Sequence, residues 1–458
     1  MEGVDNVCVA VFSHFSSHFK ARREGRLIMD ALQSPYLNHR EGSLVKPFTL
    51  EEVKVAVWDC DNFKSLGPDG VSFGFIKEFW NILCDDIMRY LVEFHRNGRL
   101  TKGINITFIA LSSKVDSPQR SNQFRPISLV GNMYKILEKV LANRLMSVIG
   151  SVISDSQSAF IKGRRILGGI LVANEIVDEA RKRRKEFLLF KVDFEKAYDS
   201  IDSGYLDEVM RKMDFPTLWR KWIKECIGTA ADSILVNGSL TEEFSLDMGL
   251  RQGDPLSPFL FLLAVEGSHV LMKTMSLNHL FNGYSVGSSN PVVVSHLQFA
   301  NDTLIFGEKS WANVRMRRAV LILFEALSGL KVNFSKSQLV GVNVPESWLS
   351  EAALVLRCRV GCLPFVYLGL PIGGKAHRLD FWKSLILRIN SRLSGWKTKH
   401  LSLGSRFVLL KFVMSSLPVY ALSFFKAPSD IISSIDSIFF FFFVGWGVED
   451  HMKISWVD

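Results

Sequence analysis

The run Phe299-Ala300-Asn301-Asp302-Thr303-Leu304-Ile305-Phe306 constrains this chain more than any other stretch. Apolar residues stand on both sides of a short polar pair, the pattern of two strands joined by a tight turn. Such a turn holds its polar side chains over whatever cleft lies beyond the strand ends. Here it offers one carboxylate, Asp302, and beside it one amide, Asn301. Chemistry that needs paired carboxylates must find the second one elsewhere.

At 458 residues the chain has room for two or three domains, or for one large multi-lobed domain. It is 48% hydrophobic and 22% charged, which supplies a real core and excludes global disorder. The formal charge of +9 favours a polyanionic partner such as nucleic acid. Cys8, Cys60, Cys84, Cys226, Cys358 and Cys362 are scattered, as reduced thiols are and a disulfide framework is not. Cys358 and Cys362 lack a second Cys/His pair at metal-ligand spacing. Glu2, Asp5, His14 and His18 interrupt the N-terminal apolar run, so no secretory signal is expected. The most apolar stretch, Ile438 to Val444, is too short to span a bilayer and reads as a poorly packed end or an aggregation hazard.

The first forty or so residues read as an amphipathic connector. Thr49 and Glu52 form a candidate capping box opening a helical region that extends to His95. The turn Gly67-Pro68-Asp69-Gly70 interrupts it. Ile106 to Leu111 is expected as a strand ending near Lys114, and Arg125 to Leu129 starts a second. Helical spacing resumes from Met133 to Val148, with Leu137, Val140, Leu141 and Leu145 on one face. Arg181-Lys182-Arg183-Arg184-Lys185 closes a further helix, and reads equally as a solvated helix end or as a basic address. Phe187 to Phe194 forms an apolar strand that delivers Asp193 at its end. Leu256 to Val265 is expected as a buried helix, and Tyr367 to Pro371 as a strand.

Asp193 alone is weak evidence, since an aspartate at a strand end often caps the next helix. Magnesium, however, is a hard ion that prefers carboxylates and keeps waters and substrate phosphate oxygens. Two such ions can activate a primer 3′-hydroxyl and stabilise leaving pyrophosphate, held by carboxylates from neighbouring strands. Asp193 and the Asn301-Asp302 turn are candidates for those positions. Between them, Gly249-Leu250-Arg251-Gln252-Gly253-Asp254-Pro255-Leu256-Ser257-Pro258 carries glycines that admit close backbone approach and prolines suited to a first helical turn.

Taken in order, Phe187–Ser200, Gly249–Pro258 and Phe299–Phe306 resemble the palm motifs of reverse transcriptases, nearest to the non-LTR (LINE-type) retrotransposon group and its plant members. Gly67–Gly70, Phe108–Lys114, Phe124–Leu129, Gly329–Gln338 and Tyr367–Gly373 agree, so the likeness runs from about residue 48 to the C-terminus. The resemblance implies an α+β right-hand polymerase with fingers, palm and thumb on an antiparallel palm sheet. Its regions would be a connector (1–47), fingers (48–186), palm core (187–310), remaining palm and primer grip (311–375) and a truncated thumb-like helical region (376–458).

By the same resemblance, Asp193 and Asp302 are metal ligands, with the Phe194 carbonyl as a further one. Tyr198 is a steric gate against a ribose 2′-hydroxyl, or simply packs under the palm. Arg125 and Lys114 contact the triphosphate, Gln252 and Gly253 shape the nucleotide pocket, and Lys336 protonates pyrophosphate. The implied cofactor is Mg2+ (two ions), with Mn2+ as a substitute. The implied partners are an RNA template, a DNA primer and deoxynucleoside triphosphates, with no membrane and no assignable protein partner. The element's life cycle implies the nucleus or cytoplasm.

The sequence departs from that pattern at Asn301, where the family places aspartate. Losing one carboxylate beside two dications forfeits a fraction of transition-state stabilisation worth ~3–4 kcal/mol, or ~100–1000-fold in rate. Polymerisation is therefore expected to be severely impaired. Leu66, Gly168 and Ser203 also depart, and no endonuclease residue set is present, so the chain reads as a truncated reading frame. The alternatives to an enzyme are a nucleic-acid-binding remnant and an untranslated relic.

Overall fold

The computed structural model describes residues 4–20, 37, 41–287, 289–394 and 401–444. They divide into two compact units, residues 1–169 with 180–360 and residues 170–179 with 361–458. Parts of the expected connector and thumb-like region (21–36, 38–40, 395–400 and 445–458) lie outside the described residues.

The first unit is built on a sheet whose spatial order is Arg359–Gly361, Gln338–Val342, Phe187–Val192, Asp302–Glu308, His296–Phe299. Phe187–Val192 pairs antiparallel with both of its neighbours, and Asp302–Glu308 pairs antiparallel with His296–Phe299. The central strand is apolar at almost every position because it is covered: Phe187, Leu188, Leu189, Phe190 and Val192 are all buried. The helix Ser257–Leu277 packs against helices Asn132–Val152, Ser203–Lys212 and Trp311–Ser328. It is apolar around most of its circumference, as a core helix must be. Both strands of the expected Ile106/Arg125 pair form, as an antiparallel hairpin of Ile106–Ser113 and Phe124–Val130.

A second sheet joins that hairpin to Ala231–Val236, which runs parallel to Ile106–Ser113 and comes from far downstream. The segment read as a connector holds a helix, Val4–His18. Its Phe15, with Phe19 just beyond it, packs into a core with Ile109, Ile234, Phe244 and Leu246. The apolar positions of the amphipathic pattern are thus spent on a tertiary contact.

In the second unit, Tyr367 to Pro371 is not one strand but the tip of a hairpin. Phe365–Tyr367 pairs with Leu370–Ile372, and Leu368 and Gly369 turn between them with φ of 49° and 83°. The backbone N–H of Gly373 donates to Asn174 Oδ1 at 3.0 Å. The phenylalanine run lies in the helix Ser429–Val444. Phe442 is buried there while Phe440 and Phe441 stay exposed, so the run is only partly packed.

Two helices are long and apolar enough to cross a membrane, Ser257–Leu277 and Leu403–Leu422. The first is mostly buried within the protein, which accounts for its composition.

Candidate active site

The first unit brings the two candidate carboxylates face to face. Thr303 pairs with Val192, so one further step of the register sets Asp302 opposite Asp193. Burial, and secondarily the nearby Asp193 charge, lift the Asp302 carboxyl above its usual range, and Lys191 opposes this. Two carboxylates brought opposite one another on neighbouring strands form a donor set suited to a divalent cation.

The backbone around Asp193 is held from the segment after the Trp311–Ser328 helix. Asp193 donates its N–H to Ser337 Oγ at 3.0 Å, and its carbonyl accepts from Asn333 N–H at 2.7 Å. Phe194 bridges Val332, with Glu195 N–H donating to the Lys331 carbonyl at 2.8 Å. These bonds use the groups on either side of Phe194. Among the described residues its own carbonyl accepts no backbone hydrogen bond, so it can serve as a ligand.

The turn opposite is clamped by a residue that sequence reasoning missed. Ala300 sits in the left-handed region at φ 51°, and the fully buried Gln157 grips its peptide groups. Gln157 Oε1 accepts from Ala300 N–H at 2.8 Å, and Nε2 donates to the Ala300 carbonyl at 3.3 Å. Neighbouring Ser156 is within 3.1 Å of both His269 Nδ1 and His296 Nε2, and those two nitrogens are 3.0 Å apart. Burial holds His269 down to about 4 and His296 to about 3. Gln157 lies in a short polar stretch, Ser154 to Ser158, whose composition resembles any surface loop.

The loop 249–253 closes the other side. Gly249 has φ +91°, and a Cβ there would stand 2.6 Å from the Asp199 carbonyl oxygen. Gly253 has φ +108°, and a Cβ there would meet the Ser128 carbonyl oxygen at 3.1 Å. Ser128 N–H donates to the Gln252 carbonyl at 2.8 Å, which stitches this loop to the strand carrying Arg125. Arg251, also missed, is buried and donates from Nη2 to Asp232 Oδ1 at 3.0 Å and to the Asn105 carbonyl at 2.9 Å. It anchors the loop to the second sheet. Gln252 Nε2 donates to Asp199 Oδ1 at 2.8 Å.

The cationic candidates share one region. Burial depresses the Lys114 ammonium below its usual range, Asp199 opposes this, and Arg125 and Lys336 add to it. Arg125 faces Ser112 across the hairpin, and Lys336 and Arg125 are exposed. Tyr198 stacks on Phe261 with ring centroids 4.6 Å apart and planes 16° from parallel, and burial pushes its hydroxyl up to about 12. The other nearby aspartates are committed elsewhere. Asp202 Oδ1 caps the helix Ser203–Lys212 by accepting from Tyr205 N–H at 2.7 Å, and Asp199 is bound to Gln252.

Residues 114–372, more than half of the chain, match the family described as reverse transcriptase (RNA-dependent DNA polymerase). The chain belongs to the reverse transcriptase family. The chain is 26% identical over 400 residues to the transposon TX1 uncharacterized 149 kDa protein of Xenopus laevis, across 86% of this chain and 30% of that one. Over 325 residues it is 26% identical to the Pol polyprotein of the type-2 retrotransposable element R2DM of Drosophila melanogaster, across 70% and 28% of the two chains. Over 235 residues it is 28% identical to the type-1 element R2 polyprotein of Bradysia coprophila, across 51% and 26%. These relatives put it among the non-LTR retrotransposon reverse transcriptases. It spans about 30% of the length of the relatives it matches.

Proposed function

We propose that this chain extends a DNA primer on an RNA template from deoxynucleoside triphosphates, and that Asn301 sharply limits the rate. The observation that carries this reading is the placement of Asp193 opposite Asp302 in the segment that matches the family. Asp193, Asp302 and the Phe194 carbonyl would hold magnesium, or manganese in its place. When bound, the ions supply Lewis-acid activation of the primer hydroxyl and neutralise the leaving phosphates.

The protein's own groups do the rest. Arg125 and Lys114 bind and orient the triphosphate, Arg125 as a bidentate fork. Lys336, exposed beside them, donates a proton to the departing pyrophosphate. The rigidly stacked Tyr198 ring excludes a 2′-hydroxyl. Gln252 and Gly253, tied to Ser128, form the wall of the pocket. The regions expected from the sequence, fingers, palm core, primer grip and thumb, stand within this proposal, as does work away from a membrane.

Asn301 supports a second reading, that of a nucleic-acid-binding protein without polymerase activity. Primer extension and filter binding on one RNA–DNA substrate separate the two. Extension that Asp193→Ala abolishes supports the enzyme. Salt-sensitive binding with no extension, in magnesium and in manganese, supports the binder.

A further inference from the structure

The helix Val4–His18 precedes every residue matched to the family, yet its last turn reaches the wall of the proposed nucleotide pocket. Two anchors fix that turn. Phe15 and Phe19 are buried against the second sheet, and the Phe19 carbonyl accepts from Asp247 N–H at 3.1 Å. Between them stands His18. Its Nε2 is buried without a hydrogen-bond partner and lies 3.8 Å from Asp199 Oδ2. Its Nδ1 lies 3.4 Å from Lys196 Nζ.

Asp199 is itself buried, and its other oxygen accepts from Gln252 Nε2 at 2.8 Å. The carboxylate therefore stands between the imidazole and the amide. An orphaned imidazole nitrogen at this distance closes to a hydrogen bond with a sub-ångström shift. Deleting the imidazole would free Asp199 to turn toward Lys196, whose ammonium already feels its charge. The Gln252 amide would then lose its orienting acceptor.

We infer that His18 is a positioning residue that fixes Asp199, and through it the Gln252 amide, toward the incoming nucleotide. The helix Val4–His18 is then a working part of the pocket. The inference rests on the reading of Gln252 as a nucleotide-pocket residue.

The test is equilibrium binding of an α,β-imido deoxynucleoside triphosphate with magnesium to the full chain on primer–template, which needs no turnover. His18→Leu raises the nucleotide Kd at least tenfold, with the primer–template Kd and the melting temperature unchanged. His18→Gln, which keeps a donor near the Nε2 position, stays within about threefold of wild type. Adding His18→Leu to Asp199→Asn weakens binding no further than Asp199→Asn alone. The inference is overturned by an unchanged nucleotide Kd in His18→Leu, or by a fall in melting temperature that weakens nucleotide and primer–template binding alike.

If wild type binds no nucleotide, or if Gln252→Ala binds it normally, the pocket reading fails and the inference falls with it. The histidine 15N spectrum tells the two failures apart. A His18 resonance that moves in Asp199→Asn shows the contact to be real although the pocket reading is wrong. A resonance that stays put shows the contact itself to be absent.

Discussion

Asp302 stands opposite Asp193 across two antiparallel strands, one register step beyond the Thr303–Val192 pair. Asn301 takes no part in that register, so a substitution there is expected to change the charge of the candidate site and not its framework. Asn301→Asp is expected to raise single-nucleotide incorporation ~100–1000-fold, the rate equivalent of the ~3–4 kcal/mol assigned to such a group. Rapid-quench kinetics of both forms, beside Asp193→Ala, measure this. Equal rates in wild type and Asn301→Asp would show that an amide suffices at the turn.

The Gln157 clamp predicts a stability effect. Gln157→Leu leaves the Ala300 N–H and carbonyl without their partner in a buried site, at a cost of about 2–3 kcal/mol. Urea unfolding reads the loss directly. Incorporation should fall as well, because the turn holding Asp302 is no longer pinned. A variant with wild-type stability would mean that another group takes up the Ala300 peptide.

Histidine protonation sets an acid limit. Burial lowers His269 to about 4 and His296 to about 3, so both are neutral in the folded protein at pH 6.5 while the unfolded chain begins to take up protons. Their contribution is fully present above about pH 6.5 and is lost as pH falls toward 4. Across that window wild type should lose on the order of 5 kcal/mol more than His269→Gln/His296→Gln, roughly half from each imidazole. Denaturation series at stepped pH test it, and parallel curves for the two proteins would refute the buried-neutral assignment.

Gly249→Ala should be costly for two separate reasons. The residue holds φ +91°, and the added methyl would stand 2.6 Å from the Asp199 carbonyl oxygen. Backbone cannot yield as a flexible side chain does, so a loss of about 2 kcal/mol or more is expected. Nucleotide affinity should drop with it, since Asp199 is pushed from Gln252. Calorimetry and nucleotide titration on one sample provide both numbers.

Much of the candidate site could be read from the chain. Asp193 and Asp302 sit at the ends of apolar runs whose burial dictated the strands. Gly249 and Gly253 announced close backbone approach, and the structure shows against what: the carbonyls of Asp199 and Ser128. The parts that escaped are long-range polar contacts without local periodicity. Gln157 lies far in sequence from the turn it grips, and Arg251 finds its partner on the second sheet. His18 escaped for another reason, because the amphipathic run that carries it is as consistent with a connector as with a packed helix. Local pattern alone reads Tyr367 to Pro371 as one strand because the bend depends on Leu368 entering the left-handed region, which leucine seldom does, whereas the likeness of Tyr367–Gly373 to a primer-grip hairpin already implies a turn there.

The parallel pairing of Ile106–Ile109 with Ala231–Ile234 sets an order on synthesis. As the chain leaves the ribosome, the hairpin Ile106–Val130 can form at once, but one of its edges stays bare until the distant strand emerges. A bare apolar edge invites pairing with the wrong chain. Slow translation between the two strands would prolong that exposure, and chaperone demand should peak there. Soluble yield is therefore expected to depend on how quickly this interval is translated, and not on the stability of the finished fold alone.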